Sequence, residues 1–518
     1  MRRTLLTLVA LLAVAISSSA QSVNLKEFKA MVRSVDARAQ HKPTHRLSDS
    51  EVTSKDFAKT VKSWQKAAKR GDAEAQYKLA LCYYLGAGVT KDLAEAVKWW
   101  HKAAEQGHIE AQNLLVWCYA NGEGVTKNLA EAVKWLRKVA EQGDAEAQYT
   151  LGVCYSNGDG VTKDQAEAVK WYRLAAEQGY LEAQKVLVWC YANGEGVTAD
   201  LAESVKWVRK VAEQGDAEAQ YTLGVCYSNG EGVTKDQAEA VKWYRLAAEQ
   251  GYLEAQKVLV WCYANGEGVT TDLAESMKWV RKVAEQGDVA AQYMLALCYY
   301  NGEGVTKDLV EAVKWYRLAA EQGDANAQSA LAYCYRIGKG VTKDLAEAVK
   351  WCRLAAEQGD VVAQYNLALC YYNGEGVIKD VAEAVKWWRK SAEQGSAEAQ
   401  YSLAWCYHNG EGVTTDLAEA VKWWSKLAAQ GNAKAQYNLA LCYYNGEGVT
   451  KDVSEAVKWW RKSAEQGNAE AQYDLGWCYY NGKGVTKNVA EAVKWYRLAA
   501  QQGVSEAQKA LKNMGKTW

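Results

Sequence analysis

Thirteen cysteines, five histidines and one Ser-x-x-Lys element are the groups in this 518-residue chain that could attack a carbonyl, hold a metal or move a proton. Twelve of the cysteines, Cys82 to Cys478, recur once every 36 residues, so they occupy one structural position copied twelve times. In-register helices of neighbouring copies would stand about 8–10 Å apart, too far for a disulfide between equivalent residues. A small buried thiol filling a tight helix contact fits that pattern. Cys352 departs from it by replacing an aromatic residue, which leaves a bond to Cys334 or Cys370 as the disulfide to consider. His41 and His45 have helical ligand spacing, but Pro43 lies between them and no third ligand is near. Ser63 and Lys66 match the S-x-x-K element of penicillin-recognising serine enzymes, without the Lys-Thr-Gly or Ser-Asp-Asn elements that accompany it. The expectation is no catalytic residue, no metal site and no cofactor.

Recognition by aromatic rings is the chemistry that the composition favours. Tryptophan occurs 23 times and tyrosine 32 times, against two phenylalanines, five methionines and one proline. That skew implies one short unit copied many times. The first copy, Gly71 to Gln106, reads GDAEAQYKLALCYYLGAGVTKDLAEAVKWWHKAAEQ, and each later copy starts 36 residues on, without insertion, up to Gln502. Twelve full units result, with half a unit before them (Lys55–Arg70) and half after (Gly503–Trp518). Units 143–178 and 215–250 differ only at Asp159 and Glu231, and units 179–214 and 251–286 at two positions, so a 72-residue pair was duplicated as a block.

Each unit reads as two helices. Asp72 is an N-cap, Ala73 to Leu85 contains no helix breaker, and Gly86 is placed to end the helix in the left-handed conformation. Asp92 and Glu95 form the acidic equivalent of a capping box for the second helix. The turn between units is one or two residues long, which makes consecutive helices antiparallel and in contact. The loop GAGVTK, elsewhere GEGVTK, lacks the trailing Lys-Ser/Thr of a phosphate loop and reads as structural. The fold class is therefore all-α, an α-solenoid superhelix of stacked antiparallel helix pairs over 55–518, in which each repeat touches only its neighbours.

The first 54 residues differ. Arg2 and Arg3, the apolar run Leu5 to Ile16 and the small residues Ser18-Ser19-Ala20 make a signal peptide over 1–20. That run is short of the about 20 residues needed to span a bilayer. In 21–54, Leu25, Phe28, Val32 and Val35 share one helical face ahead of a polar linker. An exported protein, periplasmic or secreted, is expected. Charge is balanced at 62 basic and 62 acidic residues, which disfavours an electrostatic nucleic-acid binder.

The pattern Ala75-Gln76, Leu79, Tyr83, Gly86, Gly88-Val89, Asp92, Ala96, Trp99, Ala103-Ala104 and Gln106-Gly107, recurring through all twelve units, resembles Sel1-like repeats of the exported bacterial type, relatives of tetratricopeptide repeats. The resemblance implies a right-handed superhelix that binds proteins or peptides on its concave side, with no shared catalytic centre. It also implies where disulfide-rich exported members pair cysteines, near the turn between units. This chain has Ala104 and Gln112 there, so that framework is absent.

Comparing the repeats with one another locates the binding face. Positions equivalent to Ala75, Leu79, Cys82 and Gly86 hardly vary and read as core, as does Trp99 with its equivalents to Trp495 on the second helix. Positions equivalent to Tyr77, Leu81 and Tyr84 vary, yet stay rich in large aromatics. These form the expected groove lining: Tyr77, Leu81, Tyr84, Trp117, Tyr149, Trp189, Tyr221, Trp261, Tyr300, Arg336, Tyr372, Trp405, His408, Tyr444, Trp477 and Tyr480. Trp117, Trp189 and Trp261 each face a small neighbour (Ala120, Ala192, Ala264) and alternate with Val-Ser steps, a pattern that predicts spaced pockets. The competing reading is that these rings pack against adjacent repeats. Three functions follow in order: a non-catalytic scaffold for a protein or peptide partner, a glycan- or envelope-binding solenoid using spaced tryptophans, and an envelope hydrolase, for which no polar cluster is found.

Overall fold

The computed structural model describes residues 55–518; the calls for a signal peptide, an amphipathic helix and a linker, with His41 and His45, lie outside the described residues. Within it the chain is all-α. Among the described residues 26 helices follow one another, beginning with α1 (Lys55–Lys69), α2 (Ala73–Leu85) and α3 (Leu93–Glu105) and ending with a short helix at Ser505–Asn513. Contacts divide the chain into two units, one reaching Asp272 and one starting at Leu273. Within each unit every helix packs on the helix before it and the helix after it. This is the nearest-neighbour stacking of a solenoid.

Local chemistry explains the boundaries. The Asp72 carboxylate accepts the Ala75 N–H at 2.7 Å and starts α2. Such a cap contributes about 1 kcal/mol. Gly86 ends α2 at φ 74°, donating its N–H to the Cys82 carbonyl. Gly86 is exposed, so its recurrence in every repeat answers to backbone conformation and not to packing, which corrects its assignment to the core stripe. The capping box of α3 is also only half made. Asp92 accepts from Glu95 N–H at 2.9 Å, but Glu95 turns outward to Lys98 at 3.0 Å. The Asp92 N–H, the donor that Glu95 would have served, is already given to the Tyr83 carbonyl at 2.9 Å across the loop.

The stack is held by three kinds of contact that recur from repeat to repeat. Leu79 and its eleven equivalents are 0–1% exposed, and they form the apolar centre with Ala75 and Cys82. A buried glutamine relay sets the register: Gln106 donates to Gln76 at 2.7 Å, and Gln76 donates to the Ala68 carbonyl of the preceding helix at 3.1 Å. The next step of that relay joins Gln112 to the Ala104 carbonyl at 3.0 Å. On another side, the Arg137 guanidinium donates to the Tyr155 hydroxyl of the next repeat, and Arg353 does the same to Tyr371 at 2.6 Å. His101 takes the arginine's place at the first such step, 2.8 Å from the Tyr119 hydroxyl.

Twelve of the thirteen thiols are buried, Cys298 is half-buried, and all are free. Burial pushes Cys118 and Cys190 up to about 12 and Cys82 up to about 11, so the nucleophilic thiolate is suppressed. The glycine of the loop has a packing reason as well. A Cβ on Gly124 would lie 2.4 Å from the Leu93 carbonyl of the previous repeat, so the loop backbone rests directly on the start of α3.

Candidate binding face

Seven, eleven and fourteen residues into each unit, the first helix presents a stripe that the constant core leaves uncovered. The expected lining residues sit along it. Trp261, Trp405 and Tyr480 are 51%, 45% and 40% exposed, and Tyr333, on the same stripe beside Arg336, is 44% exposed. Tyr77, Leu81, Tyr84, Trp117, Tyr149, Trp189, Tyr300, Arg336, Tyr372, His408, Tyr444 and Trp477 are half-buried. Tyr221 is buried at 8%, wedged between Tyr244 and Tyr252 with ring centroids at 5.7 and 5.3 Å.

Several of the rings lean on a second column of residues, which the sequence reading noted only where Cys352 replaces an aromatic. Directly after each recurrent Trp on the second helix stands a variable residue: Trp100, Leu136, Tyr172, Val208, Tyr244, and onward. Tyr84 leans on Trp100 at 5.5 Å, Tyr149 on Tyr172 at 5.7 Å, Tyr372 on Trp388 at 5.3 Å and Tyr444 on Trp460 at 5.4 Å. This underlayer is matched in volume to the first helix. Gly152 stands opposite Tyr172, where a Cβ would lie 2.6 Å from the ring, whereas Ala80 accompanies Trp100 and Val188 accompanies Val208. The signal was present as paired variation between two columns of the repeat.

Polar groups tie the stripe across repeats. Lys339 donates to the Tyr300 hydroxyl at 2.6 Å, Tyr372 donates to Glu411 at 2.8 Å, and His408 lies 3.5 Å from Glu447. The cavity between repeats 179–214 and 215–250 is floored by Val188, Val208 and Val211 and rimmed by Lys185, Asp216 and Glu218. Trp189 and Ala192, the expected walls of a pocket, do not line it.

One step of this polar ladder titrates. Asn438 donates to the Tyr401 hydroxyl at 3.2 Å, and one repeat further on Asp474 stands where Asn438 does, hydrogen-bonded to Tyr437. Burial pushes the Asp474 carboxyl up to about 6, against the opposing pull of the Tyr437 hydrogen bond, and Glu470 adds to the rise. Because this folded-state value lies above the ordinary 3.8, the native state holds its proton longer than the unfolded chain. Stability from this group is therefore full below about pH 4 and falls as pH rises to about 6. Asp474→Asn, which copies the step at Asn438, is expected to stabilise the protein by roughly 1–2 kcal/mol at pH 7.5 and to give no gain at pH 4. Thermal melts of both proteins at the two pH values check this; equal melting temperatures at pH 7.5 would refute it.

Comparison with known proteins bears on the same repeats. Twelve Sel1 repeats match, over residues 73–108, 109–144, 145–180, 183–216, 217–252, 255–288, 289–324, 325–360, 361–396, 397–432, 433–468 and 469–504. A protective antigen present in uropathogenic Escherichia coli strains, displaying an SLR fold, is 37% identical; the match covers 88% of this chain and 90% of that one, at a TM-score of 0.47. A Sel1 repeat protein from Oxalobacter formigenes is 35% identical over 60% of this chain and 89% of that one, at a TM-score of 0.49. No curated protein matches the chain. With matched repeats running almost unbroken from residue 73 to 504, the chain belongs to the Sel1 repeat family.

Proposed function

We propose that this protein is a non-catalytic scaffold, acting outside the cytoplasm, that takes a protein or peptide partner on the aromatic stripe of its first helices. The observation that carries the reading is the contrast between columns. The constant Leu79 and its equivalents are buried, as are Trp99 and most of its equivalents, whereas the variable column leaves Trp261 and Trp405 about half exposed. Large exposed rings are the composition of interface anchors. Membership of the Sel1 repeat family supports an interaction role in general. The groups that could argue for catalysis are otherwise engaged: the exposed Ser63 donates its hydroxyl to the Thr60 carbonyl at 2.8 Å, and the thiols are held protonated by burial. Among the described residues, no helix is long and apolar enough to cross a membrane.

A glycan ligand is the second reading, because Trp261 and Trp405 are about half exposed and indole rings can stack on sugars. Cross-linking pull-down from envelope and host extracts, run beside a glycan array, separates the two. A protein captured by the unmodified chain and lost on changing Trp261 and Trp405 to Ala is the expected result. Array binding with no protein captured would overturn the scaffold reading.

A further inference from the structure

In one repeat the aromatic positions of both flanking repeats are replaced together, and the replacement has a chemical sign. In repeat 323–358, Ser329 replaces the tyrosine of the first stripe position, Arg336 replaces the residue that is Tyr300 and Tyr372 in the flanking repeats, and Cys352 replaces the underlayer ring that is Tyr316 and Trp388 there. Where the rings are missing lies a small open notch lined by Ser329, Tyr333, Arg336, Cys352, Asn366 and Cys370.

Three donors around this cavity are unspent. Elsewhere in the ladder a tyrosine hydroxyl meets the polar residue of the next repeat, as Tyr401 meets Asn438. Here Ser329 is too short to do so, and among the described residues neither its hydroxyl nor the Asn366 amide has a hydrogen-bond partner. The Arg336 guanidinium lies 5.8 Å over the Tyr333 ring and forms no ion pair among the described residues. Glu375, the acid one repeat on in the register of Tyr372 and Glu411, is bonded instead to Asn373 at 3.5 Å. The surroundings change charge at the same place. Repeats from 71 to 286 carry an acid early in the first helix, Glu74 through Glu254, whereas the repeats starting at Gly287, Gly323 and Gly359 have Ala290, Asn326 and Val362. In the loop, Lys339 stands where both flanking repeats have glutamate.

We propose that this notch is a subsite for an acidic side chain of the bound partner, its carboxylate accepting from Arg336 with Ser329 and Asn366 as further donors. A carboxylate is an acceptor with no donor of its own, the complement of a guanidinium, a hydroxyl and an amide that line one notch. The subsite rests on the scaffold reading above and names the chemistry of its partner. Its occupant is one side chain at most, since the notch is small and Cys352 and Cys370 in its lining are buried.

The test pans the full-length chain with a phage-displayed random peptide library and remakes the enriched peptides with each Asp or Glu changed to its amide. Two variants are compared, Arg336→Gln, which removes the cation, and Cys352→Trp, which fills the notch. The second should fold, because Ala332 beside it matches the alanine that accompanies a tryptophan at Ala368 and Trp388. Melting curves verify both. The expected result is a shared acidic residue whose neutralisation, like either variant, weakens binding about tenfold or more, with no further loss when Arg336→Gln meets the neutral peptide. Peptides that bind both variants as well as the unmodified chain would overturn the subsite; if they are still lost on changing Trp261 and Trp405 to Ala, the scaffold reading stands without it. Failure to enrich any peptide counts against both.

Discussion

Replacing Trp171, Trp207 and Trp243 together by Ala is expected to unfold the unit that ends at Asp272, while replacing Trp117, Trp189 and Trp261 leaves it folded and weakens partner binding. The first three stand on second helices. Trp171 and Trp207 are 9% and 5% exposed, and neither ring N–H has an acceptor, so they contribute buried volume. Trp243 is half-buried and donates to Glu239 at 3.2 Å. Truncating a core tryptophan costs about 3–5 kcal/mol, and three such losses rival the 5–15 kcal/mol by which a whole domain is stable. In the other trio Trp117 and Trp189 are half-buried and Trp261 is half exposed, so less packed ring is lost than at Trp171 and Trp207. Interface tryptophans instead cost about 2 kcal/mol or more each in affinity. Circular dichroism melts and a binding titration in one buffer separate the two trios. Equal falls in melting temperature would make the first-helix stripe a core, and the proposed binding face would be lost.

Deleting residues 179–250 should leave a shorter protein with unchanged helicity per residue, whereas deleting only 179–214 should cost stability. The longer deletion joins Gln178 to Gly251 and recreates a junction that the molecule already contains, because unit 143–178 differs from unit 215–250 at one position. Tyr221 meets Tyr252 at 5.3 Å in the existing junction, and Tyr149 meets Tyr180 at 5.2 Å in the one removed. The relay bonds match too: Gln256 to Ala248 and Gln184 to Ala176 are both 3.1 Å. The shorter deletion would place Asp216 beside Tyr149 in the position of Tyr180 and forfeit a ring contact of roughly 0.5–1.5 kcal/mol. Solubility, helicity and melting temperature of both deletions decide the matter. An insoluble or unfolded product from the 72-residue deletion would show that stability here is not a sum of neighbour terms.

The helices were legible in the sequence because what starts and stops them is local. Ala73–Leu85 is the span the caps predict and the span observed, since Asp72 and Gly86 act on groups three or four residues away. The constant core was legible for a related reason: a position that must meet an identical neighbour twelve times cannot drift, and Leu79 and Cys82 are accordingly buried. The same logic failed at Gly86, where constancy reflects a left-handed backbone in an exposed cap. What only the tertiary structure decided are the contacts made between elements. Gln106 reaches Gln76 across 30 residues, and Arg137 reaches Tyr155 in the next repeat. The underlayer of Trp100, Tyr172 and Trp388 turns a column of tyrosines into a supported face, and its absence at Cys352 opens a notch. Helix formation is governed by interactions within a turn or two, but burial and hydrogen-bond partners depend on how one repeat is laid on the next. A carboxylate such as Asp474 acquires its altered titration only from that stacking.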